Sequence, residues 1–554
     1  MRIKAVGLSV MAAAAAALVA ACGGGGGGGS VGGTSAIQLS GVAATGLALA
    51  NSAVDVKCAS GTGTATTDES GSYTVTVTDG TMPCLIKVTG TANGVEVTLH
   101  SLAEGSGTTA TANVTPLTEL ILARATGMAP AALFEGFSAD AAPTGTALSQ
   151  ATTDILTALG DAAGIDLSGV DPFKGALVAA TPGNLSGGNA YDQLLDQLGT
   201  VVTPAMLPQV VSQVASTAGG TSALVTLETV IANVGNGTLA GCPQALSGKY
   251  RVIDYDGETM EVELNFKAMT ATGDVAIPMV ASESQACEVT VQDHVGDIND
   301  AGPTTIVFGP SGAGALRDSR GMAFIFPAQS HTLASVAGKW EFLESGINEA
   351  NQGEHWVGEF DVAADGKATV CDYSVGGSDF GPCAVDTDEE VSFSVSGDRF
   401  LLNYGGDTSF VFGFRAPNGT LTLFGTNNPL GNDAPGILKS SFVLTRPQVV
   451  TSGPVGTVSK FWDVTQTFPG GEPATTFAAD SITVTALEGN AQTRTRTSDN
   501  RVDTFVLNSP VQGMRYRAPG TLSGVYQRFL PGTGMAMYID DMPGHFAGIT
   551  VTRP

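Results

Sequence analysis

The chain has 554 residues, with 52 acidic and 25 basic side chains, a formal charge of −27 at pH 7 and a mean hydropathy of +0.18. At roughly 150 residues per domain this length accommodates about three to four domains, each able to bury a core of its own. So acidic a chain is not built to bind nucleic acid, nor to dock on anionic lipid by charge.

The N-terminus is an address. Arg2 and Lys4 precede an Ala-rich apolar stretch that ends in small residues, the anatomy of a secretory signal peptide over residues 1–21. The stretch falls short of the about 20 apolar residues that a spanning helix needs. The cut site Leu18-Val19-Ala20-Ala21-Cys22 resembles the lipobox of bacterial lipoproteins. That resemblance implies cleavage before Cys22 and its acylation by palmitate or a similar chain. Gly23 stands where aspartate marks inner-membrane retention in that family, so the resemblance also implies the cell outer membrane. Several acyl chains make such an anchor stable where one does not. Residues 22–35, rich in glycine, read as a lipidated flexible tether with a reach of about 20 Å.

Residues 36–113 have strand periodicity. Val54, Val56 and Cys58 alternate with Asp55 and Lys57, Tyr73, Val75 and Val77 alternate with threonines, and Cys84, Ile86 and Val88 share a parity. Val95, Val97 and Leu99 follow an Asn93-Gly94 turn. The run from Thr62 through Gly71 to Tyr73 resembles the carboxypeptidase-regulatory-like, transthyretin-like sandwich family. The resemblance implies a β-sandwich over residues 36–113, used as a spacer or binding accessory and without catalytic residues. Beyond Cys22 six cysteines remain, an even number in a disulfide-permissive compartment. Proximity predicts Cys58–Cys84, Cys242–Cys287 and Cys371–Cys383, and the shared core parity makes the first pairing the firmest. The absence of Cys-x-x-Cys speaks against zinc or redox chemistry.

At Thr115-Pro116 the pattern turns helical. Threonine suits the N-cap, proline the first helical position, and Gly127 the stop. Leu148, Ala151, Ile155, Leu159 and Ala162, then Tyr191, Leu194, Leu195 and Leu198, recur at helical spacing. Residues 114–240 therefore read as a small α-helical region whose apolar stripes pack inward. From Cys242 the strands return with weak internal repetition. Gly248-Lys249-Tyr250, Gly338-Lys339-Trp340 and Ser459-Lys460-Phe461 align as module openings. Leu444-Thr-Arg-Pro447 and Val551-Thr-Arg-Pro554 align as endings, and the stretches 321–326 and 534–539 as equivalent late strands. Three β modules are expected, at 242–334, 335–450 and 451–554, each a sandwich or small barrel. Tyr250, Trp340 and Phe461 are expected as large core side chains. The Gly-Lys-Trp opening is also similar to the Gly-x-Trp of lipocalins, but three residues do not carry a ligand cavity.

Chemistry is sparse. His100, His294, His331, His355 and His545 lack metal spacing and read as surface or loop residues. Gly309-Pro-Ser311-Gly-Ala-Gly314 misses the nucleophile-elbow pattern by one position and reads as a turn. Weak calcium candidates are Asp254 and Asp256 in one cluster and Asp297, Asn299 and Asp300 in another. Both depart from calcium-loop spacing, and solvated turns are the favoured reading. Residues 241–454 carry 28 acidic and 11 basic side chains, whereas 455–554 carry 8 of each. In that last segment Arg494 and Arg496 are two apart, as are Arg515 and Arg517, so each pair shares a strand face. Guanidinium forks suit carboxylate or phosphate, and an anion-contacting face is one reading. The plainer one is a solvated outer face between threonines.

The expectation is a mainly β, multidomain chain with an N-terminal β-sandwich, a small helical region and three tandem β-sandwich or barrel-like modules. Its expected role is non-catalytic binding or structure, as a lipoprotein anchored in the outer membrane of the cell envelope. Its partners would be the membrane, through the lipid anchor, and an envelope protein or glycan, with no nucleic acid and no cofactor. The competing class is a tethered extracytoplasmic hydrolase acting on glycan or peptide.

Overall fold

The computed structural model describes residues 36–554 except 93, 219–225, 256, 274, 293–301, 319–320, 348–352, 374–379, 387–388, 428–438, 469–473 and 542–544. Cys22, His294, Asp256, Asp297, Asn299 and Asp300 lie outside the described residues. The fold is mainly β and multidomain. Two sheets form the N-terminal sandwich. One holds Ser72–Val77, Ile37–Val42 and Thr109–Thr111, and the other Thr62–Thr66, Ala53–Ser60, Thr81–Ala92 and Val95–Ala103. Tyr73, Val75, Val77, Val54, Val56, Ile86 and Val88 are all buried between them, as alternation requires. Cys58 sits directly opposite Cys84 on the neighbouring strand, and the two are bonded, as are Cys242 with Cys287 and Cys371 with Cys383.

The helix Pro116–Thr126 starts where capping chemistry dictates. Thr115 and Thr118 form a reciprocal capping box, Pro116 occupies the first turn, and Gly127 ends it at φ 65°. This helix packs on the strand Val95–Ala103 and on helices Gly145–Ala163 and Leu207–Ser216, so it joins sandwich and helical region into one core. Helix Leu207–Ser216 then abuts the β modules, with the Ser212 hydroxyl donating to the Arg415 carbonyl.

Each β module is a ring of antiparallel strands running in sequence order. Barrel I spans Gly248–Pro327 and barrel III Val458–Thr552, both closed with eight strands. In barrel II, from Gly338 to Thr445, Gly353–Val362 pairs with both Gly338–Ile347 and Lys367–Asp372. Lys367–Asp372 pairs on to Val391–Ser396, which closes the ring, and Ala384–Val385 adds a short extra strand. Tyr250, Trp340 and Phe461 are buried on the three first strands. The aligned stretches 321–326 and 534–539 are not equivalent. Met322–Pro327 is the eighth strand of barrel I, whereas Met535–Asp540 is the seventh of barrel III. Two strands of one meander that share a buried outer face have the same apolar pattern, so sequence similarity could not separate them. The endings correspond in position, each just after the last strand, but not in face: Arg446 lies 3.9 Å over the Trp340 ring on the inner side of barrel II, and Arg553 5.5 Å over Trp462 on the outer side of barrel III.

The three barrels dock on one another pairwise. Phe324 and Phe326 on the outside of barrel I meet Phe414 and Phe424 of barrel II, with Phe326 stacked on Phe424 at 4.4 Å. Arg251 of barrel I pairs with Asp398 of barrel II at 2.5 Å, and both are buried. Arg528 of barrel III reaches Glu341 of barrel II at 2.6 Å. The Ser311 hydroxyl of barrel I, in the turn expected there, donates to the Thr533 carbonyl of barrel III at 2.8 Å.

Candidate functional site

The three barrels share a strand plan but differ inside. Barrel I closes on Tyr250, Phe266 and Phe308, whose rings meet edge to face at 5.7 and 5.9 Å. Barrel II is lined by Trp340, Phe342, Phe360 and Phe393, with Glu344 on the same strand face as Trp340 and Phe342. Barrel III inverts the pattern. Trp462, Val464, Met537, Ile539, Ile549 and Val551 belong to the apolar cluster shared between barrels, so the outward face of these strands is apolar. The alternate positions, which point inward, carry the charge.

All four arginines of the two pairs are in that interior, not on a solvated outer face. Arg494 is paired in register with Val484 and Asp503, and Arg496 with Ile482, which fixes their common inward side. Arg517 also points inward and donates to Asp503 at 2.6 Å. Arg515 is buried, with Nε donating to Gln527 at 2.7 Å and Nη1 to Gln492 at 3.3 Å. The sequence could not mark this side as inner. Along 491–496 arginine and glutamine alternate with small polar residues, so both faces of the strand read as polar. The available signal was Asp503 and Phe505 on the neighbouring strand, at the parity that opposes the arginines.

The ion pairing inside is incomplete. Arg496 lies 3.6 Å from both Asp463 and Asp480. Arg501, at 3.0 Å, and Arg517, at 2.6 Å, share Asp503. Three carboxylates thus serve three guanidiniums. Burial pushes Asp503 up, but Arg517 and Arg501 outweigh it and hold this carboxyl below its usual range. Asp463 is held above its usual range, because burial exceeds the help of the Thr550 hydroxyl and the arginines. Among the described residues neither Arg494 nor Arg515 has a carboxylate partner within ion-pair distance. Both guanidiniums lie over the Phe505 ring, at 4.2 and 4.6 Å. Desolvation inside the barrel lowers Arg494 to about 10 and lowers Arg515 strongly, with Arg494 itself contributing to the latter. The buried Nε of Arg494 has no hydrogen-bond partner.

A cavity of about 380 Å3 opens beside Arg494. Its wall comes mainly from strand ends that share one mouth of the barrel, through Thr467, Arg496, Arg517, Val525, Tyr538 and Phe546. Asp463, Arg494, Phe505 and Gln527 lie deeper in the wall.

The histidines depart from the surface expectation. His100 is buried, its Nδ1 2.9 Å from Glu119 Oε2, and its Nε2 is unpartnered. This pair lines a second cavity, of about 270 Å3, between the sandwich, helix Leu207–Ser216 and Pro417 of barrel II. His355 is buried too, with Nε2 3.0 Å from Asp540, which also meets exposed His545 at 3.0 Å. The carboxylate partner of His100 lies 19 residues away on another element and that of His355 185 residues away in another barrel, which spacing cannot reveal. Asp254 ends a strand in a tight turn, its N–H bonded to the Glu258 carbonyl at 2.9 Å. Among the described residues no three potential metal ligands of the His, Cys, Asp and Glu type converge.

No protein-family model matches the chain, and no curated protein does. Solved structures give remote similarities. A protein of unknown function from the DUF3598 family of Nostoc punctiforme is 10% identical over 41% of this chain and all of its own, with a TM-score of 0.16. Intact Ap-TbpB, with N and C lobes, is 9% identical over 53% of this chain and 66% of its own, at 0.17. Kievitone hydratase from Nectria haematococca is 10% identical over 40% and 89%, at 0.11. At these TM-scores none of the three bears on the activity of this chain.

Proposed function

We propose that the chain is a lipid-anchored lipoprotein of the bacterial outer membrane, held off the surface by its glycine tether, and that its folded body is a non-catalytic binding protein with barrel III as the binding compartment. The carrying observation is the unbalanced interior of that barrel. One guanidinium without a carboxylate partner among the described residues, that of Arg494, lines a cavity, and that of Arg515 lies over the same Phe505 ring, in a barrel whose two neighbours are filled mainly with apolar and aromatic side chains. Burying an uncompensated charge costs stability, and a ligand that supplies the missing anion offsets that cost. The N-terminal sandwich, similar to the carboxypeptidase-regulatory-like family, serves as spacer. The anchor is tested by Cys22→Ser, which should move the protein from the membrane fraction to the soluble fraction. Retention with the membrane would place the anchor elsewhere. The compartment is tested by titrating the purified full chain with organic and inorganic anions and reading heat or melting temperature.

The hydrolase reading rests on the buried His100–Glu119 pair, in which the carboxylate orients the ring and leaves Nε2 free at a cavity. That is half of an acid–base apparatus. Turnover of peptide or glycan substrates that disappears in His100→Asn would favour it.

A further inference from the structure

We propose that the cavity of barrel III binds a small organic monocarboxylate with a flat apolar body, its carboxylate taken by Arg494 and its body seated against Phe505, Tyr538 and Phe546. This rests on the reading of barrel III as the binding compartment and specifies its ligand.

The charge follows from pairing within the barrel. Arg496, Arg501 and Arg517 face the cavity but already share Asp463, Asp480 and Asp503. Arg515 is engaged by two amide oxygens and is not part of the cavity wall. Arg494 alone combines a place on the wall, a buried Nε without a partner and no carboxylate at ion-pair distance among the described residues. One unsatisfied guanidinium calls for one negative charge, and its fork matches the two oxygens of a carboxylate. A neutral ligand would leave the cation unpaired. A dianion would bring more charge than the free guanidinium compensates.

The body of the ligand follows from the rest of the wall. Phe505, Phe546, Val525 and Ala478 give nothing to a hydrated inorganic ion. They suit apolar surface, and the Phe505 ring, already faced by two guanidiniums, presents an aromatic plane beside the charge. The volume of about 380 Å3 lies near the lower end of small-molecule pockets, which limits the ligand to a compact molecule.

The test is calorimetric titration of the purified full chain with benzoate, with inorganic phosphate and benzyl alcohol as comparators. Saturable 1:1 binding of benzoate is expected, with both comparators at least about tenfold weaker: benzyl alcohol because it loses the charge-assisted contact, and phosphate because it brings no apolar body to the aromatic wall. Arg494→Met should remove benzoate binding and, without ligand, raise the melting temperature, because it deletes an uncompensated buried charge. Arg494→Lys keeps the charge without the fork. It should weaken benzoate about tenfold, and it serves alone if the Met variant does not fold. Arg399→Gln, in barrel II, should leave binding unchanged. Benzoate binding that survives Arg494→Met, or that benzyl alcohol equals, overturns the proposal. So does the absence of benzoate binding. In that case phosphate binding that Arg494→Met abolishes would keep barrel III as an anion compartment with another ligand. No anion binding, with a lower melting temperature in Arg494→Met, would overturn the compartment as well.

Discussion

Arg528 is fully buried at the junction of barrels II and III and meets one carboxylate, Glu341, with the Thr445 hydroxyl as a further acceptor at 3.2 Å. Removing one member of such a pair strands the other charge in low dielectric. Arg528→Met is expected to cost about 3–5 kcal/mol in denaturant unfolding, and Arg528→Met with Glu341→Met markedly less. A double variant as unstable as the single one would show that the cation packs rather than pairs. Glu344, inside barrel II, poses the opposite problem. Burial lifts its carboxyl to about 7, only partly opposed by the Ser440 hydroxyl, and Asp372 adds to the rise. Asn427 also donates to it at 2.6 Å. A raised acid binds its proton more tightly in the folded state, so its contribution is most favourable below about pH 4.5 and is lost as pH rises through about 7. Glu344→Gln should therefore stabilise the protein at pH 8 by about 2 kcal/mol and leave it unchanged near pH 4.5. An equal gain at both pH values would contradict the titration of this group.

At the scale of elements, the helix Pro116–Thr126 shows local chemistry and tertiary contact acting on the same atoms. The Thr118 hydroxyl accepts from the Thr115 N–H at 2.9 Å and donates to the His100 carbonyl at 2.8 Å, so the cap also fastens the helix to the sandwich. Thr118→Val is expected to cost about 2 kcal/mol, since it leaves buried backbone groups unpaired. Hydrogen exchange should accelerate at both the first helical turn and the strand Val95–Ala103. Faster exchange in the helix alone would mean that the cap does not couple the two elements. The barrel strands obey a second rule. Each presents one face to its own ring, and the other meets either solvent, as along Val502–Leu507, or a neighbouring barrel, as along Met322–Pro327. In barrel III the apolar side faces outward over the strands that dock, which frees the interior for charge.

For the whole molecule, the aromatic seam between barrels I and II and the buried ion pairs Arg251–Asp398 between I and II and Arg528–Glu341 between II and III make separate unfolding costly. Phe326→Ala, at the centre of the seam, is expected to lower stability by about 3–5 kcal/mol. If the barrels form one cooperative unit, fluorescence of Trp340 in barrel II and Trp462 in barrel III should shift to lower denaturant together. Two separated transitions would show independent barrels. The His355–Asp540–His545 contact joins barrel II to barrel III through one buried carboxylate.

The sequence by itself determined what depends on short range. Alternation marked the sandwich strands, and the pairing of Cys58 with Cys84 followed from proximity and shared parity. Thr115, Pro116 and Gly127 bounded a helix because capping is settled within four residues. The module openings at Gly248 and Gly338 and the endings at Leu444 and Val551 were legible because each sits at a fixed place in a strand. What only the tertiary structure decided was which face of a strand is inside. Arg494 and Arg496 alternate with threonines, and polarity cannot say whether such a strand turns its arginines to water or into a barrel. Closure of the ring, together with burial of the opposite face against two other barrels, made that choice. The same holds for His100 with Glu119, Arg528 with Glu341 and His355 with Asp540. These pairs, 19, 187 and 185 residues apart, are brought together by packing that no local pattern encodes.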